Sequence, residues 1–243
     1  MRWWPLLLVC LAAHAQASLQ GADIEGLRLL EVPEVVCRAP GADRVTKSLA
    51  TPVDQGNARG EVVVLTRHGL ATGQEHCELR SKGRRYPFER IISGELDGLA
   101  GDWAVGLIGA RLDADVPRLR VRAVGLEGIE RLALEGGRVH VARTAFDDAS
   151  TGCEVHVPKA GLRDPADRDA VFVSACPMIA GKSGAPAIAR VESGPAVVGI
   201  GLGYRFELGS GAPEWHQRVA VIRLIDADIE AAIRELSQTV QGE

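Results

Sequence analysis

Short apolar runs separated by Gly, Pro and Asp are the feature that most restricts the fold of this chain. Nine such runs, each of three to six residues, occur at 61–66, 90–92, 103–108, 119–123, 138–142, 170–174, 187–191, 196–200 and 218–221. Strands of this size, spaced by turn residues, are typical of a β-barrel or a β-sandwich. The sequence therefore predicts an all-β fold.

The end of the chain has a different pattern. Residues 223–240 place apolar side chains near one helical face, with acidic residues early in the segment: Leu224, Ile225, Ile229, Ala232, Ile233 and Leu236. This pattern predicts an amphipathic C-terminal α-helix. Residues 24–30 could form a second helix or an irregular leader.

Residues 1–17 are typical of a secretory signal peptide. Arg2 supplies the positive start, residues 5–13 the apolar stretch, and Ala15-Gln16-Ala17 a small-residue cleavage site. A buried N-terminal helix is the alternative. The apolar stretch is too short to span a bilayer, and no later segment approaches the required length. We expect a secreted or periplasmic protein without a membrane span.

The size and charge of the chain restrict its organisation and its partners. With 243 residues, 46% of them hydrophobic, the chain can form one large all-β domain or two small subdomains. The polar stretch around 113–117 is the expected boundary, so the halves would be 18–117 and 118–243. A net charge of −4 with scattered Lys and Arg argues against a nucleic-acid partner.

Removal of the signal would leave four cysteines. An even number in an oxidising compartment favours two disulfides, and four cysteines allow three pairings. We favour Cys37–Cys77 and Cys153–Cys176, since each pair then stays within one half of the chain. A zinc site is the competing hypothesis, but the close Cys and His spacings that zinc prefers do not occur. We therefore expect no metal.

Two polar residues stand at the ends of apolar runs. His68 follows the first run and precedes Gly69, so it should emerge at a strand end, rigidly held yet open to substrate, as a general base requires. Asp102 opens the run 103–108, and a carboxylate buried there needs a partner such as an imidazole N–H. Asp97 is a rival acid, although its neighbours begin a strand less cleanly.

Ser183 lies in the segment Gly181-Lys182-Ser183-Gly184-Ala185-Pro186, in a turn before the run 187–191. Gly181 can adopt backbone angles denied to other residues, so the N–H groups of Gly181 and Ser183 can converge as an oxyanion hole. His68, Asp102 and Ser183 together would supply the base, orienting acid and nucleophile of a serine hydrolase. A Gly-rich surface turn is the alternative for this segment.

The segments 66–68, 102–105 and 181–186 resemble the histidine, aspartate and serine motifs of the chymotrypsin-type (trypsin-like) serine proteases, above all their bacterial exported branch. The resemblance runs from about residue 36 to the C-terminus. It implies two six-stranded antiparallel β-barrels with a His68–Asp102–Ser183 triad in the cleft between them. It also implies an endopeptidase that cleaves protein or peptide substrates through an acyl-enzyme, as a monomer and without a cofactor.

Four residues depart from the family pattern, and one of them is Ala185, which replaces a usual glycine or serine. Gly69 stands where the family often has a cysteine, so Cys37 must bridge elsewhere. Arg67 replaces a usual small residue, and Lys182 replaces the aspartate that pairs with the new N-terminus in animal digestive members. These departures leave open a catalytically silent homologue that binds a protein partner in the envelope or outside the cell. An α/β-hydrolase esterase needs another triad order and alternating strands and helices, and the chain shows neither.

Overall fold

The computed structural model describes residues 32–38, 41, 45–54, 60–70, 76–95, 98–141, 153–156, 169–174, 182–206 and 218–241. The predicted signal at 1–17, the possible helix at 24–30, Asp97, Cys176 and Gly181 lie outside the described residues. Within the described residues, no helix is long and apolar enough to span a membrane.

Six antiparallel strands close into a barrel in the first half of the chain. They are β1 (Glu34–Arg38), β2 (Val45–Pro52), β3 (Glu61–Leu65), β4 (Cys77–Ser81), β5 (Arg84–Ser93) and β6 (Ala104–Ile108). Their order around the barrel is β1-β2-β3-β6-β5-β4, and β4 pairs back onto β1 to close it. The first of the two predicted barrels is confirmed.

The second half contributes a six-stranded antiparallel sheet. Its strands are β7 (His140–Val141), β8 (Glu154–His156), β9 (Ala170–Ser174), β10 (Pro186–Val191), β11 (Gly194–Phe206) and β12 (Arg218–Leu224), in the order β7-β10-β11-β12-β9-β8. An isolated bridge joins Val139 to Cys153, the residues just before the two edge strands β7 and β8. Among the described strands, closure of this sheet into a second barrel is not shown.

Two helices complete the described fold: α1 (Gly125–Leu134) and α2 (Ala227–Gln241). The sequence pattern did not predict α1. The C-terminal helix is confirmed, but the predicted start at residue 223 is wrong, because β12 continues to Leu224 and the helix begins at Ala227. Asp226 marks that start, since its Oδ1 accepts the N–H of Ile229 at 3.0 Å as an N-cap.

Two further strand predictions need correction. Residues 119–123 form no strand. Leu119 makes a single parallel bridge to Val53 in the first half, and Val121 makes one to Val197 in the second half. Because the segment pairs with a different half at each of these residues, no continuous ladder forms before α1 begins. The strand predicted at 138–142 is reduced to β7, with residue 142 outside the described part of the chain.

The apolar strands β3 and β6 lie between two cores. On β3, Val63 and Leu65 face the interior of the barrel, whereas Val62 and Val64 belong to the larger core shared with the second half and α2. α2 packs against both strands from the outside. A strand buried on both faces is mostly apolar, which explains why these two strands are apolar runs in the sequence. The exception is Glu61 at the start of β3, whose carboxylate is paired with Arg118.

The predicted disulfide between Cys37 and Cys77 is confirmed. The two residues face each other across β1 and β4, with Cα atoms 4.1 Å apart. Cys153 is also disulfide-bonded. Its predicted partner, Cys176, lies outside the described residues, so that pairing stays a prediction.

Candidate active site

The barrel topology brings His68 and Asp102 together from distant parts of the sequence. β3 and β6 are antiparallel neighbours, and Leu65 at the end of β3 pairs with Ala104 at the start of β6. His68 comes three residues after Leu65, and Asp102 comes two residues before Ala104. Both residues therefore leave the barrel at the same edge.

The carboxylate of Asp102 holds His68 through two hydrogen bonds. Its Oδ2 is 2.6 Å from His68 Nδ1, and its Oδ1 accepts the backbone N–H of His68 at 2.9 Å. A carboxylate can only accept, so Nδ1 carries the proton and Nε2 keeps its lone pair. The Asp102 side chain is 11% exposed, whereas the His68 side chain is 41% exposed. The ring is thus anchored on its buried side and open on the other.

The turn that carries His68 requires a glycine at position 69. A Cβ on Gly69 would lie 2.5 Å from the Oγ and 2.8 Å from the Cβ of Ser48, and 2.9 Å from Thr66 Oγ1. Ser48 and Thr66 are buried on β2 and at the end of β3. The space that a side chain would need is therefore filled, which is a physical reason for glycine beside His68 in this chain.

Ser183 lies in a tight turn at the start of β10. The N–H of Gly184 donates to Gly201 O at 2.7 Å, and the N–H of Ala185 donates to Lys182 O at 3.1 Å. Gly184 has φ +89°, and a Cβ there would lie 1.9 Å from the carbonyl oxygen of Leu49. The glycine after the serine is thus required both by its backbone angle and by the close approach of β2.

Contacts through β2 place Ser183 near the His68 turn. The N–H of Leu49 donates to Ser183 O at 2.7 Å, and the preceding residue, Ser48, lies against Gly69. Thr51 Oγ1 donates to Gly184 O at 3.2 Å. Ser183 and Gly69, the residue after His68, therefore contact adjacent residues of β2.

The hydroxyl of Ser183 has its own partner in this structure. It donates to the carbonyl oxygen of Leu202 on β11 at 2.9 Å. Among the hydrogen bonds of the described residues, none joins Ser183 to His68. The structure thus brings His68 and Asp102 into direct contact. Ser183 contacts the neighbouring stretch of β2 and turns its hydroxyl to β11.

Sequence reasoning missed two residues next to this site. Leu202 contributes only a backbone carbonyl, which leaves no signal in the sequence. Arg223 is 1% exposed and donates to Ala100 O, two residues before Asp102. A charged residue inside the apolar run 219–225 was a usable signal, because a buried guanidinium needs partners.

Comparison with known proteins gives support at the level of the fold. No protein-family model matches the chain, and no curated protein sequence is significantly similar to it. Among solved structures, it is similar to a thermostable serine protease, AL20, from an extremophilic microorganism. The match has a TM-score of 0.55 and 12% sequence identity, and covers 89% of this chain and all of that protein. The fold of this chain therefore resembles that of a serine protease.

Proposed function

We propose that this protein is an exported serine endopeptidase that cleaves peptide bonds through an acyl-enzyme. The observation that carries the proposal is the buried carboxylate of Asp102 against His68 Nδ1, which leaves Nε2 free to accept a proton. An imidazole held in this tautomer would act with Ser183, the serine of the turn before β10, as a nucleophilic triad. The fold similarity to a serine protease supports the same class.

In the proposed reaction, Ser183 Oγ attacks the carbonyl carbon of the scissile peptide while His68 Nε2 takes the hydroxyl proton. Asp102 stabilises the imidazolium that forms. His68 then gives the proton to the leaving amine as the C–N bond breaks, which leaves an acyl ester on Ser183. Water, activated by the same ring, hydrolyses the ester and restores the free enzyme.

This sequence of steps requires the Ser183 hydroxyl to leave Leu202 O. In the proposed reaction, the hydroxyl exchanges one neutral hydrogen bond for another, to His68 Nε2, at a net cost of about 1 kcal/mol or less. A half-buried serine in a turn can make this change on a fast timescale. The backbone N–H groups of Gly181 and Ser183 are the proposed oxyanion donors.

The remaining expectations belong to the same proposal. They are removal of residues 1–17 as a signal, export to the periplasm or outside the cell, a protein or peptide substrate, and a monomeric enzyme. We also propose that the second sheet closes into a barrel. The bridge between Val139 and Cys153, next to the edge strands β7 and β8, supports this closure.

Hydrolysis of a denatured protein substrate, followed as the release of new amino termini, tests the proposal. The wild-type protein should release them, and Ser183→Ala should reduce the rate to background. Ser193→Ala is the matched control, because Ser193 is exposed in the turn between β10 and β11 and should keep the wild-type rate. Equal rates for Ser183→Ala and the wild type would overturn the assignment of the nucleophile. An inactive but folded wild-type protein would favour the silent homologue.

A further inference from the structure

Arg223 is a fully buried cation in β12, where residues 219–222 and 224 are apolar. It is 1% exposed and stands between Ile222 and Leu224, which are also buried. A guanidinium in such surroundings is costly unless its donors are paired. The hydrogen-bond partners of the guanidinium therefore indicate what Arg223 does in the structure.

The guanidinium joins three separate parts of the structure. Its Nε donates to the carbonyl oxygen of Ala100 at 2.5 Å, and its Nη1 donates to Leu224 O. Its Nη2 donates to Asp226 Oδ2 at 2.5 Å, and Asp226 also caps α2. The Asp169 carboxylate lies 4.0 Å away. The charge is thus balanced by carboxylates on the second half, while Nε reaches across to the first half.

Ala100 belongs to the turn that presents Asp102. Within this turn, the N–H of Asp102 donates to Leu99 O at 3.3 Å, and the N–H of Trp103 donates to Gly101 O at 2.9 Å. The first of these bonds is long, so the backbone N–H of Asp102 is only weakly held within the turn. The charge-assisted bond from Arg223 to Ala100 is shorter and stronger.

We propose that Arg223 is a positioning residue that fixes the Asp102 carboxylate against His68 by anchoring the turn at Ala100. The inference rests on the proposed function, in which Asp102 orients the base. Arg223 touches neither the substrate nor the reacting atoms; it acts through the backbone between Ala100 and Asp102. Its attachment to the cap of α2 gives the turn a rigid support from the second half of the molecule.

Two substitutions separate positioning from simple packing. Arg223→Met fills similar space without donors, and Arg223→Lys keeps the charge but loses the planar fork. Arg118→Met is the matched control, because Arg118 also donates to backbone carbonyls and to a buried carboxylate, that of Glu61, but lies in the connection between the halves. The control should lose stability without disturbing Asp102.

The decisive measurement is the proton NMR signal of His68 Nδ1–H, which reports the bond to Asp102 whether or not the protein is an active enzyme. We expect the downfield signal to weaken or vanish in Arg223→Met, to shift partially in Arg223→Lys, and to persist in Arg118→Met. Asp102→Asn serves as the reference without the signal. The rate of fluorophosphonate labelling should fall about 10- to 100-fold in Arg223→Met, as expected for a displacement of about 1 Å.

A folded Arg223→Met protein with a wild-type Nδ1–H signal and labelling rate would overturn the inference. If Arg223→Met does not fold, the same two measurements are made on Arg223→Lys. A wild-type Nδ1–H signal and labelling rate in that variant would overturn the inference. A wild-type protein that shows the signal but never reacts with the probe would refute the proposed function, while the NMR comparison would still test the role of Arg223.

Discussion

Replacing Asp102 by asparagine removes the negative charge that lies against the ring of His68 while keeping the shape of the side chain. The carboxylate now serves two donors, His68 Nδ1–H at 2.6 Å and the His68 backbone N–H at 2.9 Å. An amide has only one acceptor oxygen. If that oxygen stays on the backbone N–H, the amide NH2 faces Nδ1 and forces the ring proton onto Nε2. The ring could then no longer accept the proton of Ser183.

The size of the effect follows from the burial of the two partners. When the ring becomes an imidazolium in the reaction, the loss of its buried charge partner costs about 3 to 5 kcal/mol. Only 11% of the Asp102 side chain is exposed, but 41% of the His68 side chain is accessible, so solvent screens part of the interaction. We therefore take the lower end, about 3 kcal/mol, which corresponds to a loss of about 100-fold in rate.

The second-order rate of labelling by a fluorophosphonate probe measures this loss without knowledge of the natural substrate. Asp97→Asn is the matched control, since Asp97 is the rival acid in the sequence and should be dispensable. A labelling rate for Asp102→Asn within about threefold of the wild type would refute the role of Asp102. A large loss of labelling rate in Asp97→Asn, with little loss in Asp102→Asn, would indicate that Asp97 is the orienting acid.

Two further predictions concern stability and can be measured by urea unfolding. Gly184→Ala should cost more than about 3 kcal/mol, because it adds the strain of a left-handed residue to a Cβ placed 1.9 Å from Leu49 O. Gly194→Ala, at φ +102° with open space around its Cβ, should cost only about 1 to 2 kcal/mol, and equal losses would refute the close-approach argument. Replacing Cys37 and Cys77 by alanine should cost about 4 kcal/mol, the loop-closure value for a separation of 40 residues; no change in the unfolding midpoint on reduction would contradict it.

The strands that the sequence predicted best are those buried on both faces. β3 and β6 are buried at every position, and their predicted bounds agree with the observed ones within one residue at each end. β1, β2 and β4 were missed because they mix polar and apolar residues. β2, for example, begins with three exposed residues and becomes buried only from Ser48 onward. A half-exposed strand gives a weak local signal, and its pairing is decided by neighbours far away in the sequence.

The helices show the same limit. α1 begins at Gly125, which has φ +60°, and contains a second glycine, so the helix propensity of this segment is low. Only Ile129 among the residues of α1 is fully buried, so the segment also has a weak apolar pattern. The start of α2 was placed too early because Leu224 and Ile225 fit both a strand and a helix. Asp226, an N-cap residue in the sequence, was the better marker of the helix start.

The candidate site was partly accessible from sequence. His68 and Asp102 could be selected because each stands at the end of a run that had to be a buried strand. Their contact follows from antiparallel pairing of β3 with β6, which the sequence alone does not specify. The hydrogen bond of Ser183 to Leu202 and the reach of Arg223 to Ala100 depend on tertiary packing between the halves.

Mass-spectrometric mapping of a fluorophosphonate adduct shows directly whether Ser183 is the activated nucleophile. Trypsin should release residues 183–190, in which Ser183 is the only hydroxyl side chain. Our account predicts one adduct per molecule, located on this peptide, and its loss in His68→Ala. A folded protein that acquires no adduct, or acquires it at another residue, would contradict the claim that Ser183 is a nucleophile activated by His68.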